Sequence, residues 1–193
     1  MNIRRSAVLC LFSSLALFAA SPTKYSYWVA PCPQAASTCQ PGDPQLADWA
    51  LRAWQSASAG AFEFNRVPDS KNARIRIVWA SADQGLYGET RPTLIDGKPG
   101  AEVYVMPAPF PTSGDQLLRD AIVYLTCLHE SGHALGLRHT DAFEDIMYSF
   151  QFGGDIPEYF GRYRRKLRVR DDIQKNSGLS EADRNHLLVI FGN

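Results

Sequence analysis

Five residues in one short run carry most of the chemistry this sequence can offer. His129, Glu130, His133, Gly136 and His139 stand at fixed offsets in His129-Glu130-Ser131-Gly132-His133-Ala134-Leu135-Gly136-Leu137-Arg138-His139. Two histidines four apart on a helix put both imidazoles on one face, one turn from each other, where they can share an ion. A glycine three places later takes a positive φ at no steric cost and turns the chain sharply. That turn lets His139 come back as a third nitrogen ligand. Three histidines and an open position suit a catalytic Zn²⁺. Glu130, next to the first ligand, is placed to act as general base on a zinc-bound water. Five fixed residue types at fixed offsets arise by chance about once in 10⁵ chains of this length, so aligned surface histidines are a poor explanation.

The elements that must hold this run are legible from periodicity. Leu117, Leu118, Ala121, Ile122, Leu125 and Leu128 form an apolar stripe at helical spacing, which predicts a helix to about Gly136 with Ser113 and Gln116 as a capping box. An earlier helix is predicted from Asp43 as N-cap and Pro44 in the first turn, with Leu46, Trp49, Ala50, Ala53, Trp54 and Ala57 on its buried face. The tryptophans at this spacing read as core and not as a binding platform. Strands are predicted over 24–30, around Phe62 and Phe64, over Ile75 to Trp79 and over 101–106. Turns at 85–88 and 96–100 flank a short strand. A last helix starts at Ser180, with Asp183 three residues on and Leu187, Leu188, Ile190 and Phe191 along it.

Composition narrows the class. The chain has 193 residues, 45% hydrophobic and 21% charged, with no net formal charge. That is enough apolar content for one packed domain, and no global basic field exists to hold a nucleic acid. Arg4 and Arg5 precede an apolar run from Ala7 to Ala20, closed by small residues. This is the pattern of a secretory signal peptide cleaved near Ala20, too short to cross a membrane comfortably. The expectation is a leader over 1–20 and an exported, soluble domain over 24–193. In an oxidising compartment Cys32 and Cys39 most simply pair. Cys127 is then left as a small buried hydrophobe, although a longer bridge from Cys127 to either partner stays open.

The zinc run resembles the HExxHxxGxxH motif of the metzincin clan of metallopeptidases. Met147, in Asp145-Ile146-Met147-Tyr148, falls where the matrixin family carries its methionine turn. The order of the other elements is also matrixin-like: a first strand, an A-x-x-x-W helix at Ala50 to Trp54, an A-x-I-x-I strand at Ala73 to Ile77, and the zinc helix. The resemblance implies an α+β fold, with a twisted, mostly parallel sheet, an antiparallel edge strand, two long helices and a C-terminal helix. It implies a secreted zinc endopeptidase, with His129, His133 and His139 as ligands, Glu130 as base and Met147 as an apolar floor. Protein or peptide is the implied substrate, with no nucleic acid, no membrane after leader cleavage, and a monomer. The rim strand, within 85–90, would pair with substrate backbone. Two other readings share the residues: a zinc-stabilised binding module without activity, and a hydrolase of small or cell-wall amides.

The departures from the family are informative. No PRCGxPD cysteine switch occurs, so latency by that route is not expected. Ser149 stands where astacins and serralysins place a zinc-binding tyrosine. The segment between Ser149 and Gly178 is longer than the matrixin pattern, and its Arg162, Arg164, Arg165, Lys166, Arg168 and Arg170 read as a solvated helix face. Matrixins resemble one another in a second, structural zinc held by three histidines and an aspartate. With His 4 in the whole chain and His186 the only one to spare, one zinc is expected. Asp83, Glu89, Asp96 and Glu102 offer oxygen ligands for Ca²⁺ in turns, though they match no compact loop motif.

Overall fold

Strict alternation of burial along Ile75–Trp79 fixes the middle of the sheet, with Ile75, Ile77 and Trp79 turned inward. The computed structural model describes residues 21–33, 38–81, 87–107 and 114–192. The expected leader over 1–20 lies outside the described residues, as do Asp83 and Ser113.

Five strands form one sheet in the order β2-β1-β3-β5-β4. They are β1 (Thr23–Val29), β2 (Phe62–Arg66), β3 (Ile75–Trp79), β4 (Gly88–Ile95) and β5 (Lys98–Val105). β1 runs parallel to β2 and β3, β3 runs parallel to β5, and β4 closes one edge antiparallel to β5. The architecture is the expected α+β arrangement. Parallel neighbours need crossovers, and the long one between β1 and β2 carries α1 (Asp43–Ala57). Tyr27, Val29, Ile77, Val103 and Val105 meet Leu46, Ala50 and Trp54 of α1 and Leu125 and Leu128 of α2 (Gln116–Ala134) in one apolar core. Trp54 is fully buried, and its indole N–H donates to the Leu128 carbonyl at 2.8 Å, which ties the two long helices together without an orphaned donor.

The hairpin is longer than the turn-rich sequence suggests. β4 and β5 pair from Gly88↔Val105 to Ile95↔Lys98, leaving only Asp96 and Gly97 at the tip. Both have positive φ, 51° and 73°, as a two-residue type I′ connection requires. The Asp-Gly pair is a hairpin signal, but Pro92 and Pro99 disguise the flanking strands. Pro92 is tolerated because β4 is an edge.

Two expected caps differ. Asp43 lies inside the first turn of α1, with Gly42 at the N-cap and no side-chain cap bond. Its buried carboxylate instead accepts the Gln40 N–H at 2.8 Å and a guanidinium N–H of Arg119 at 2.6 Å. Asp115 caps α2 by accepting the Leu118 N–H at 3.0 Å.

The segment after Ser149 folds as α3 (Ile156–Arg164) and the single turn α4 (Asp172–Lys175). Tyr159, Phe160 and Tyr163 of α3 are buried. The basic cluster is only partly a solvated face. Arg165 pairs with Glu158 on the surface, but Arg164 reaches Asp115 at 2.9 Å. Arg170 binds Asp120, donates to the Gly42 carbonyl at 2.6 Å and lies over the Trp49 ring. The last helix, α5 (Glu181–Phe191), begins after Ser180 as predicted, and Ser180 and Asp183 form a capping box. Cys32 and Cys39 are disulfide-bonded with Cα atoms 5.5 Å apart, and Cys127 is a buried free thiol. No helix among the described residues is long and apolar enough to cross a membrane.

Candidate metal centre

The zinc-type run sits at the C-terminal end of α2 and in the turn that follows. α2 ends at Ala134, and Gly136 takes φ 96°. The Leu137 N–H then reaches the Gly132 carbonyl at 3.0 Å, and the Gly136 N–H reaches the His133 carbonyl at 2.9 Å. This pair of bonds is a Schellman ending. It reverses the chain, so His139 faces His129 and His133 from outside the helix.

The three imidazoles converge through Nε2. That atom of His139 lies 3.2 Å from Nε2 of His129 and 3.0 Å from Nε2 of His133. On His129 and His133 the other ring nitrogen is already engaged. His129 Nδ1 is 2.6 Å from the Ile146 carbonyl, and His133 Nδ1 is 2.9 Å from the Leu137 carbonyl. A carbonyl accepts only, so each Nδ1 carries the hydrogen and each Nε2 presents a lone pair. The lone pairs of His129 and His133 thus both face Nε2 of His139. Second-partner bonds of this kind are what metal-bound histidines make. Burial lowers the His129 pKa to about 4 and also lowers that of His139, each helped by the neighbouring imidazoles. His129 and His139 are thereby biased toward the neutral, ligand-ready form, and the three-imidazole donor set fits Zn²⁺.

Glu130 lines the same cleft as the histidines and lies against the edge strand. It is buried, and desolvation raises its pKa to about 7, opposed by a hydrogen bond from Thr90. The Thr90 hydroxyl lies 2.7 Å from Glu130 Oε2 and 2.8 Å from the Glu130 carbonyl oxygen. Gly88 allows this approach: a Cβ there would lie 2.6 Å from Glu130 Cγ. Thr90 and Gly88 are some forty residues from Glu130 in sequence, and nothing in their local pattern marks them.

Met147 is fully buried. A Cβ on Gly132 would lie 2.5 Å from its sulfur and 3.0 Å from Trp54, so the methionine packs against α2 between the levels of His129 and His133. Its turn is pinned by α5. The Asp183 carboxylate accepts the Ile146 N–H at 2.8 Å, the Met147 N–H at 3.3 Å and the Ser180 N–H at 2.9 Å. The sequence marks Asp183 only as part of a cap. Tyr159 of α3 is a second unforeseen participant. Its hydroxyl lies 3.2 Å from the Ile146 carbonyl, the same oxygen that orients His129.

The histidines and Glu130 open into a cleft of about 560 Å³. Gly88, Glu89 and Thr90 form one wall, and Phe150, Ile156, Tyr159 and Phe160 give an apolar far end. Among the described residues, one other group of potential ligands converges, Cys32, Cys39 and Asp43, and its sulfurs are in the disulfide. Glu89 is held by Arg91, and Glu102 by Arg76 and the Tyr104 hydroxyl.

No curated protein matches the sequence. The family model described as matrixin matches residues 24–155, from β1 through the methionine turn. That span is more than half of the chain and contains every side chain of the convergent histidine cluster, so the protein belongs to the matrixins and is a zinc metalloendopeptidase.

Proposed function

We propose that the protein is an exported endopeptidase in which His129, His133 and His139 hold one zinc ion and Glu130 is the general base. The observation that carries the reading is the convergence of three Nε2 atoms, two of them aimed by backbone carbonyls, beside a buried carboxylate in the same cleft.

Zinc, when bound, supplies Lewis acidity, which polarises a carbonyl and makes water a better nucleophile near neutral pH. The chain's own groups do the rest. β4 is an edge strand, and an extended substrate pairs along its free side as an added strand. Pro92 has no N–H, so the pairing is confined to the stretch before it. Phe150, Ile156, Tyr159 and Phe160 receive an apolar side chain beside the scissile bond. Glu130 accepts a proton from the attacking water and delivers it to the departing amine nitrogen. Its burial favours this role, since desolvation keeps its basicity above that of an ordinary carboxylate.

The test is hydrolysis of casein, gelatin and a peptide library by the purified protein, before and after chelation. The expected result is internal cleavage that stops on chelation and returns with zinc. Absence of peptide cleavage by zinc-loaded protein would overturn the reading.

A further inference from the structure

We propose that Thr90 is a positioning residue for peptide hydrolysis, its hydroxyl fixing the Glu130 carboxylate so that Oε1 stays free to take up and release the proton. The inference rests on the general-base reading of Glu130 and adds to it the residue that aims the base.

Glutamate has three side-chain torsions, and a base that wanders is a poor base, because a displacement of about 1 Å can cost 10²-fold in rate. Glu130 is confined on each side. A Cβ added to Gly88 would fall 2.6 Å from Glu130 Cγ, 2.9 Å from its Oε1 and 2.9 Å from the Thr126 methyl. The carboxylate thus occupies a slot between the β4 backbone and α2. Thr90 closes the slot with a hydrogen bond of 2.7 Å to Oε2. Among the described residues, no other side chain hydrogen-bonds this carboxylate. One oxygen is therefore tied to the strand, and the other is left for the reaction.

The hydroxyl has one hydrogen and two acceptors within reach, Oε2 at 2.7 Å and the Glu130 carbonyl at 2.8 Å. While Glu130 is ionised the hydrogen points to the carboxylate, the stronger acceptor. Once Oε1 has taken a proton, the acid accepts more weakly and the hydrogen can turn to the carbonyl. Thr90 keeps a partner in both states, so neither half of the proton transfer leaves its half-buried hydroxyl unsatisfied.

A purely structural role, tying β4 to α2, makes different predictions, and so does direct contact with substrate. Thr90→Val keeps the β-branched shape and removes the hydroxyl, and Thr90→Ser restores the hydroxyl without the methyl. In the zinc-loaded full chain, Thr90→Val should lower kcat about 10- to 100-fold with KM changed less than about threefold. Zinc content and melting temperature should match wild type. Thr90→Ser should recover most of kcat. The proposal is overturned if Thr90→Val keeps kcat within about twofold, if Thr90→Ser is as slow as Thr90→Val, or if the loss lies in KM, zinc content or melting temperature. Glu130→Gln separates the two readings. If it hydrolyses as fast as wild type, the general base itself is misassigned; if it is inactive while Thr90→Val is normal, only the positioning role falls.

Discussion

Two backbone carbonyls decide what the histidines can do. Ile146 and Leu137 each take one imidazole N–H, which fixes the tautomer of His129 and His133 and aims both Nε2 lone pairs inward. His139 is the most exposed of the three and the only one supplied from outside α2. Two nitrogens from one helix hold zinc weakly, and the third closes the site. His139→Ala should therefore lose both activity and metal, and full zinc occupancy by elemental analysis at equal free zinc would assign the third ligand elsewhere. Glu130→Gln should behave differently. Its side chain is held against Thr90 and Gly88 and is not one of the convergent imidazoles, so metal content should stay at wild-type level. Hydrolysis should fall by ~10²–10⁴, the usual cost of removing a general base. Steady-state kinetics paired with zinc analysis on one preparation checks both variants.

At the scale of elements, the ending of α2 joins fold to chemistry. Gly136 at φ 96° completes the two bonds that stop the helix and brings the Leu137 carbonyl to His133. A side chain there has open space but the wrong backbone. Gly136→Ala should cost about 1 kcal/mol in stability through the strained φ. It should also weaken zinc retention, because the turn carries both His139 and the carbonyl that holds His133. Thermal unfolding and a competition titration with a chelator measure the two effects. This ending is legible in the sequence, because spacing and a glycine at the right offset are local signals. The partners from elsewhere are not. Thr90 lies in the rim strand read between two turns, and nothing in that strand's pattern ties it to Glu130. Tyr159 lies in a segment whose basic residues suggest a solvated face. Asp183 looks like a cap residue and is one, but its carboxylate also reaches the methionine turn. Such contacts depend on how elements dock, and docking is not written in any single window. The same limit misplaces the first cap, since Asp43 turns from its own helix to Arg119, some 76 residues on.

For the whole molecule, the histidine inventory sets the metal stoichiometry. The sequence has His 4. Three converge at the cleft, and His186 lies on α5. No second histidine group converges among the described residues, and the one other candidate cluster is built around a disulfide. Tag-free protein should therefore bind one zinc tightly, and two tightly held ions by elemental analysis would contradict this. The sheet's hairpin holds its strands through eight registered positions and a two-residue turn.

Arg170 closes a circuit with a consequence for the order of synthesis. It donates to the carbonyl of Gly42, 128 residues earlier, and binds Asp120 at the start of the zinc helix. Asp183, later still, supplies the acceptor for the two amides of the methionine turn. Contacts this distant in sequence cannot form until their later partner has been made. A growing chain that already carries all three histidines and Glu130 has Arg119 to tie its first loop to its longest helix, but still lacks the Asp183 acceptor for the turn beneath the histidines. The floor of the site is completed only when the last helix docks. A nascent protease built in this order gains the support beneath its histidines late, after the residues that do the chemistry have been made.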